Sequence, residues 1–421
     1  MSEGSAKSLN LPHCMILASC TVRYVQSTEV LMINLSSSAT RMPAFAQRAA
    51  SVTIALLPLA IALIVASPAG AAVFGSTNLV TDDQGANAAR VTDPNLVNAW
   101  GISHSSGSPF WVSDNGTGVS TLYAVNPVTN VPTIIPLVVT IPGAGNPTGQ
   151  VFNADAASFN GDLFLFVSED GTVSGWRGAL GTAAETLVPG SADDNYKGTA
   201  LATIGTDSYL YAANFRTGAI DVVKGNSGNP DLTGTFTDPG IPSGYAPFNI
   251  QNIGGNLFVT YAQQDSDHGD DVPGVGHGFV DEFDTQGQFI ERIGTQGTLN
   301  SPWGLAIAPA SFGAFAGDLL VGNFGDGMIN AFDLASQAFD GVLPGIGGNP
   351  LAIDGLWGLI AGNGGSGGNA NEIYFSAGPA GESHGLFGVL DVVPEPGTLT
   401  LIGGALAALC LARRRRAGRP A

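Results

Sequence analysis

Pro302-Trp303-Gly304-Leu305, then Leu319-Leu320-Val321-Gly322-Asn323-Phe324, then Met328-Ile329-Asn330-Ala331-Phe332-Asp333 make up one unit of this chain. An aromatic residue beside glycine opens a short apolar strand. A second apolar strand ends on a polar residue. A glycine-containing turn follows, and a third strand closes on an acidic or aromatic residue. Runs of this length bounded by Gly, Asn and Asp read as strands of a layered sheet rather than as helices.

Outward from this unit, five more copies can be lined up. Trp100-Gly101-Ile102 leads to Phe110-Trp111-Val112 and on to Leu122-Tyr123. Gly149-Gln150-Val151 leads to Leu163–Glu169 and Val173–Trp176. Gly198–Leu201 leads to Leu210–Phe215 and Ala219–Val223. Pro247–Ile250 leads to Leu257–Gln263 and Gly278–Phe283. Trp357-Gly358-Leu359 leads to Ile373–Ser376 and Leu386–Asp391. The copies start about 50 residues apart, and several strands per repeat at that period is the signature of a propeller. Six copies predict an all-β, six-bladed β-propeller over residues 73–393. A ring must be sealed, and the spare strand Val73–Val80 is expected to pair in one blade with Gly385–Val393.

Composition agrees. Charged residues are 12% of the 421-residue chain, against about 25% in an average globular protein. Glycines number 59, as many tight turns require. Between Val73 and Glu395 there are six Lys and Arg against 32 Asp and Glu, a net charge of −26. Such a surface repels nucleic-acid phosphates and anionic membranes, so no nucleic-acid partner is expected. Cys14, Cys20 and Cys410 all lie outside the body, which therefore has no disulfide.

The two ends read differently from the body. Met42–Arg48 supplies a positively charged start, Val52–Ala66 an apolar run, and Ala69-Gly70-Ala71 a small-residue cleavage site. Residues 42–72 are thus expected to be a signal peptide with a signal helix. Residues 1–41 show no periodicity and are expected to be an extension outside the fold, with Met42 the true start. At the other end, residues 394–421 comprise Pro394-Glu395-Pro396, an apolar stretch Thr398–Ala412, and Arg413, Arg414, Arg415 and Arg416. The prolines hold the motif extended, the stretch suits a short hydrophobic helix, and the arginines stop transfer on the cytoplasmic side.

These three parts in order resemble the PEP-CTERM sorting signal. The resemblance implies recognition by exosortase, a Gram-negative bacterium, delivery to the envelope or extracellular matrix, exopolysaccharide as a neighbour, and membrane contact only through the tail. The Pro302–Ala306 and Gly322–Phe324 segments resemble NHL-type propellers. The body as a whole resembles an uncharacterised family of PEP-CTERM propeller proteins, which implies a fold and a location but no activity.

Candidate sites follow from position and chemistry. Asn115, Glu169, Asn214, Gln263 and Asn323 each follow the second strand of a blade, so they are expected on one rim, where polar groups hold a sugar or a cation. Their competing role is to close tight turns. Asp265, Asp267, Asp270 and Asp271 alternate around glycine and offer oxygen ligands for Ca²⁺, although no glutamate closes a twelve-residue loop as in an EF-hand. That loop also reads as a solvated insertion. His104, His268, His277 and His384 are scattered, and no G-x-S-x-G, H-E-x-x-H or paired C-x-x-C occurs. Gly362–Gly367 spells G-x-G-x-x-G but leads into a strand, which excludes a dinucleotide site. The expectation is a non-enzymatic binding or structural scaffold. Its alternative is a metal-dependent hydrolase or lyase working in the envelope.

Overall fold

The computed structural model describes residues 72–393. The expected extension at 1–41, the expected signal peptide at 42–72 except its last residue, and the expected sorting tail at 394–421 lie outside the described residues. The described chain forms six sheets around one axis. It is all-β apart from three short 3-10 turns.

Each blade runs from the axis outward. The innermost strands are Ala99–Ser103, Pro147–Phe152, Tyr196–Ile204, Tyr245–Ile253, Pro302–Ile307 and Leu356–Ala361. Blades one, two, four and five have four antiparallel strands. The fourth of these includes Pro132–Thr140 in blade one and Ala338–Val342 in blade five. The repeat showed only three strands per unit. The fourth is hard to see because it has one paired edge and faces water: Ala338, Phe339 and Asp340 are all exposed. Blade three stops at three strands. In its place the segment after Lys224 crosses to blade four, where Gly234 and Phe236 donate backbone N–H bonds to Gln286 and Gly287.

Blade six is closed by both ends of the described chain. Val73–Thr81 lies antiparallel to Leu386–Val393, with Val73 opposite Val393. The expected ring seal is thus present, and Val91–Thr92 adds a short parallel strand outside it. Phe74, fully buried, packs its ring 4.9 Å from Phe312 of blade five, tying the seal to the neighbouring blade.

The axis explains the glycine that opens so many copies. Equivalent residues of adjacent innermost strands touch around the ring. A Cβ on Gly101 would stand 2.5 Å from the Thr148 carbonyl oxygen, and one on Gly358 would stand 2.9 Å from the Trp100 oxygen. At these two positions any side chain would collide with the neighbouring backbone, which glycine avoids. In blade four the position is Asn249, whose Nδ2 donates to the Trp303 oxygen at 2.8 Å and so ties blade four to blade five.

Candidate functional site

The residue just before that glycine level points to the site. Around the ring it is Trp100, Thr148, Lys197, Phe248, Trp303 and Trp357. Five are aromatic or small; the sixth is a lysine with 2% of its side chain exposed. Trp357 is sandwiched, with Trp100 stacked at 3.7 Å on one ring and Phe324 at 3.9 Å. Trp303 meets Trp357 edge-on at 5.8 Å. Together they plug the channel. The Lys197 ammonium lies 5.3 Å from the Trp100 ring centre.

On one side of the plug a cavity of about 250 Å³ is lined by Trp100, Lys197, Phe248, Asp270, Asp271, Pro273, Phe324, Trp357 and Glu382. Its walls come from connections between second and third strands. A single line of polar contacts runs round it. Trp357 Nε1 donates to Asn98 Oδ1 at 3.1 Å, and Asn98 Nδ2 donates to Glu382 at 3.1 Å and to Asn115 at 3.2 Å. Asn115 donates to Glu169 at 3.1 Å. Lys197 Nζ pairs with Glu169 at 2.6 Å and with Asp270 at 3.0 Å.

Electrostatics keep the lysine charged and work against ionisation of two of the acids. Burial alone would lower the Lys197 pKa, but the Glu169 and then the Asp270 carboxylates outweigh it and hold the lysine above its ordinary value. Burial raises Glu382 to about 6; Lys197 opposes this, while Glu169, Asp270 and Asp271 add to it. Burial also raises Asp271. Two buried polar atoms on the lining residues have no partner in the protein, Trp100 Nε1 and Asp271 Oδ2. Buried groups of this kind are normally satisfied, and a ligand or ordered water would do so here.

The expected rim residues divide. Asn115 and Glu169 touch each other at this cavity. Asn214 instead donates to Asp194 and Asp221 beside it, at 2.8 Å each. Asn323 donates to the Thr298 carbonyl and to Asp326, and accepts from Asn330, fastening its own blade. Gln263 sits in the ladder of blade four opposite Tyr245.

The acidic loop divides as well. Asp265 accepts the Gly269 N–H at 2.8 Å and shapes the turn. The backbone oxygen of Asp267 accepts from Arg216 at 3.1 Å. Asp270 and Asp271 face the cavity instead. The four carboxylates do not converge; among the described residues the group of three carboxylates close enough to share one ion is Asp318, Asp333 and Asp340. The histidines are dispersed too: His104 contacts the Ala361 carbonyl, His277 the Val272 carbonyl, and His384 the Asp82 carboxylate. In the G-x-G-x-x-G stretch, Asn363 Oδ1 accepts from Gly365 and Gly367 at 2.9 Å, which makes it a closed turn.

Lys197 and Glu382 were missed from sequence. Stacking the six copies one residue earlier, at the position before the glycine, would have exposed the lysine among tryptophans. Nothing periodic marks Glu382, which lies in a connection.

An uncharacterized protein of Acanthamoeba polyphaga mimivirus is 34% identical over 313 residues, covering 69% of this chain and 74% of its own length. A second uncharacterized protein of the same virus is 33% identical over 320 residues, covering 71% and 81%. This chain belongs to their family. Residues 392–416 match the PEP-CTERM protein-sorting motif, so this member of the family carries an export and membrane-sorting signal of the kind exosortase recognises. Solved structures of similar fold include streptogramin B lyase, at TM-score 0.42 and 10% identity over 76% of this chain and 97% of that one. Another is the GH93 α-L-arabinofuranosidase of Fusarium graminearum with arabinobiose, at TM-score 0.46 and 12% identity over 76% and 98%.

Proposed function

We propose that the protein is an exported scaffold of the cell envelope or extracellular matrix, whose propeller binds a single sugar residue at the charged mouth of its channel. The observation that carries this reading is the cavity of about 250 Å³ with a sealed aromatic floor and an acid-rich rim. It is smaller than the ~300–1,000 Å³ pockets of drug-sized ligands, so it suits one small polar molecule or the end of a chain. Each carboxylate accepts two or more hydroxyl donors, and sugar hydroxyls are such donors. Four carboxylates, from Glu169, Asp270, Asp271 and Glu382, stand against one lysine. That excess supports a neutral or amino sugar and disfavours a uronic acid or sulfated glycan. The sorting motif supports a setting where exopolysaccharide is at hand.

A glycan array with the full-length protein tests this. Binding is expected to neutral or amino-sugar glycans, and to fall at least ~10-fold in Asp271→Asn/Glu382→Gln, a loss of about 1.4 kcal/mol. Absence of any such binding, or binding unchanged in the double variant, would overturn the reading.

A further inference from the structure

A second feature is independent of the channel mouth and lies on the opposite face of the disc. It emerges from comparing blades two and five. In blade two, Asp162 follows a 3-10 turn and precedes the second strand; its N–H donates to Phe159 O at 2.9 Å. In blade five, Asp318 follows a 3-10 turn in the same way, with its N–H on Phe315 O at 3.0 Å. Trp176 pairs with Phe164 in one blade and Phe332 with Leu319 in the other. Arg177 and Asp333 each come 15 residues after these aspartates (177 − 162 and 333 − 318), at the end of the third strand, and so hold the same place to within one step of the ladder. Glu185 in the outer strand of blade two corresponds in position to Asp340 in blade five, within about one residue across a local irregularity of the ladder.

Blade two fills this place with its own cation. Arg177 reaches Asp162 at 2.7 Å and Glu185 at 2.6 Å. Blade four uses the same device elsewhere, with Arg292 between Asp238 and Asp281. Blade five has an aspartate where blade two has the arginine. One oxygen from each of Asp318, Asp333 and Asp340 lies within 4.8 Å of the others. Asp318 is 5% exposed, and its Oδ2 is buried without a partner. Burial, then the neighbouring Asp340 and Asp333 charges, work against its ionised form.

We propose that Asp318, Asp333 and Asp340 bind a divalent cation, Ca²⁺, which does in blade five what the Arg177 guanidinium does in blade two. Oxygen-only ligands select a hard cation over zinc or copper. Ligands at 2.3–2.6 Å on opposite sides of Ca²⁺ stand about 4.6–5.2 Å apart, which the spread of these oxygens accommodates. Mg²⁺ needs a tighter octahedron and holds its water harder, so Ca²⁺ is favoured. Asp340 is exposed, leaving room for water to complete the shell. The ion would pin the outer strand of blade five, the most exposed of the ring, to the second and third.

Calorimetric titration of Ca²⁺ into the full-length protein, with melting temperature followed in Ca²⁺, Mg²⁺ and chelator, tests the site. We expect Ca²⁺ to raise the melting temperature more than Mg²⁺. Asp340→Asn, at an exposed position, should weaken binding at least ~10-fold without unfolding the protein. Asp333→Arg should abolish the Ca²⁺ response and leave the chelated protein as stable as the Ca²⁺-loaded parent, as the arginine does in blade two. No Ca²⁺-dependent heat or melting shift in the parent would overturn the proposal. So would binding that survives Asp340→Asn, or binding lost in Asp265→Asn, which neutralises a carboxylate of the acidic loop instead. Should Asp333→Arg fail to fold, the Asp340→Asn result still decides.

Discussion

The channel has two mouths of nearly equal size, about 260 and 250 Å³, made from different parts of the repeat. The neutral mouth is lined almost wholly by the later residues of the innermost strands, among them Ser103, Gln150, Thr199, Asn249, Gln251 and Leu359, with no Asp, Glu, Lys or Arg. The charged mouth is roofed by connections, and four of its nine lining residues are ionisable. Innermost strands crowd one another at the glycine level, as the Gly101 and Gly358 approaches show, and the one charged side chain they give the charged mouth, Lys197, stands a residue before that level. Connections are free of that constraint, and chemistry accumulates on them. Origin distinguishes the mouths.

The harshest way to break the comparison is to remove the wall between them. Trp357 is 1% exposed and carries the stack on which both cavities rest. Trp357→Ala should cost about 3–5 kcal/mol, the usual price of a deleted buried aromatic. It should also free Asn98, whose Oδ1 accepts the indole N–H. Urea denaturation reads the loss; a change under about 1 kcal/mol would mean that the plug is not what holds the channel apart.

How much of this was legible in the sequence depends on which residues repeat. The innermost strands were, because Trp100-Gly101, Trp303-Gly304 and Trp357-Gly358 answer the same steric demand at the axis. The ring seal was, because Val73–Val80 had no other partner. The outer strands were not: Ala338–Val342 meets water on most of its length, so nothing imposes an apolar alternation. The site was half legible. Asn115 and Glu169 share a repeat position and meet in space, but Asn214 and Asn323 stand one residue earlier in the repeat, where Asp114 and Ser168 stand in the first two blades; Phe215 and Phe324 hold the rim position in theirs, and Asn214 and Asn323 fasten their own blades. The copies conceal an offset of one residue, and in a strand one residue turns the side chain to the other face. Lys197 and Glu382 depend on contacts between blades three, two and six, which no single repeat contains.

A milder change sharpens the comparison by testing whether the charged mouth is one network. Glu169→Gln leaves the buried Lys197 with Asp270 alone, and the Asp270 side chain is 78% exposed. Stability should fall by about 2–3 kcal/mol, somewhat less than the loss for a fully buried pair, because Asp270 and water remain. Lys197→Met added to Glu169→Gln should recover part of that loss, since it removes the stranded charge. A strictly additive double variant would show that the lysine and the glutamate do not act together.

The smallest expected effect separates the mouths by pH. Glu382 belongs to the charged mouth, and burial raises its pKa from the ordinary 4.5 to about 6 in the folded protein. Between those values the folded state binds more proton than the unfolded one, so stability falls as pH rises through that window. Below about pH 4.5 the contribution is fully present, and above about pH 6 it is gone. With screening by the water that still reaches the group, the change is about 1 kcal/mol, a shift of roughly 2 °C in melting temperature for a domain of this size. Glu382→Gln should flatten this component, making the variant more stable than the parent at pH 7 and little different at pH 4.5. The neutral mouth offers the control. Gln251→Ala, at a half-buried position there, should leave the profile between pH 4.5 and pH 7 unchanged. If Glu382→Gln also leaves the profile unchanged, the excess acid does not strain this mouth, and the two ends of the channel differ in composition without differing in energy.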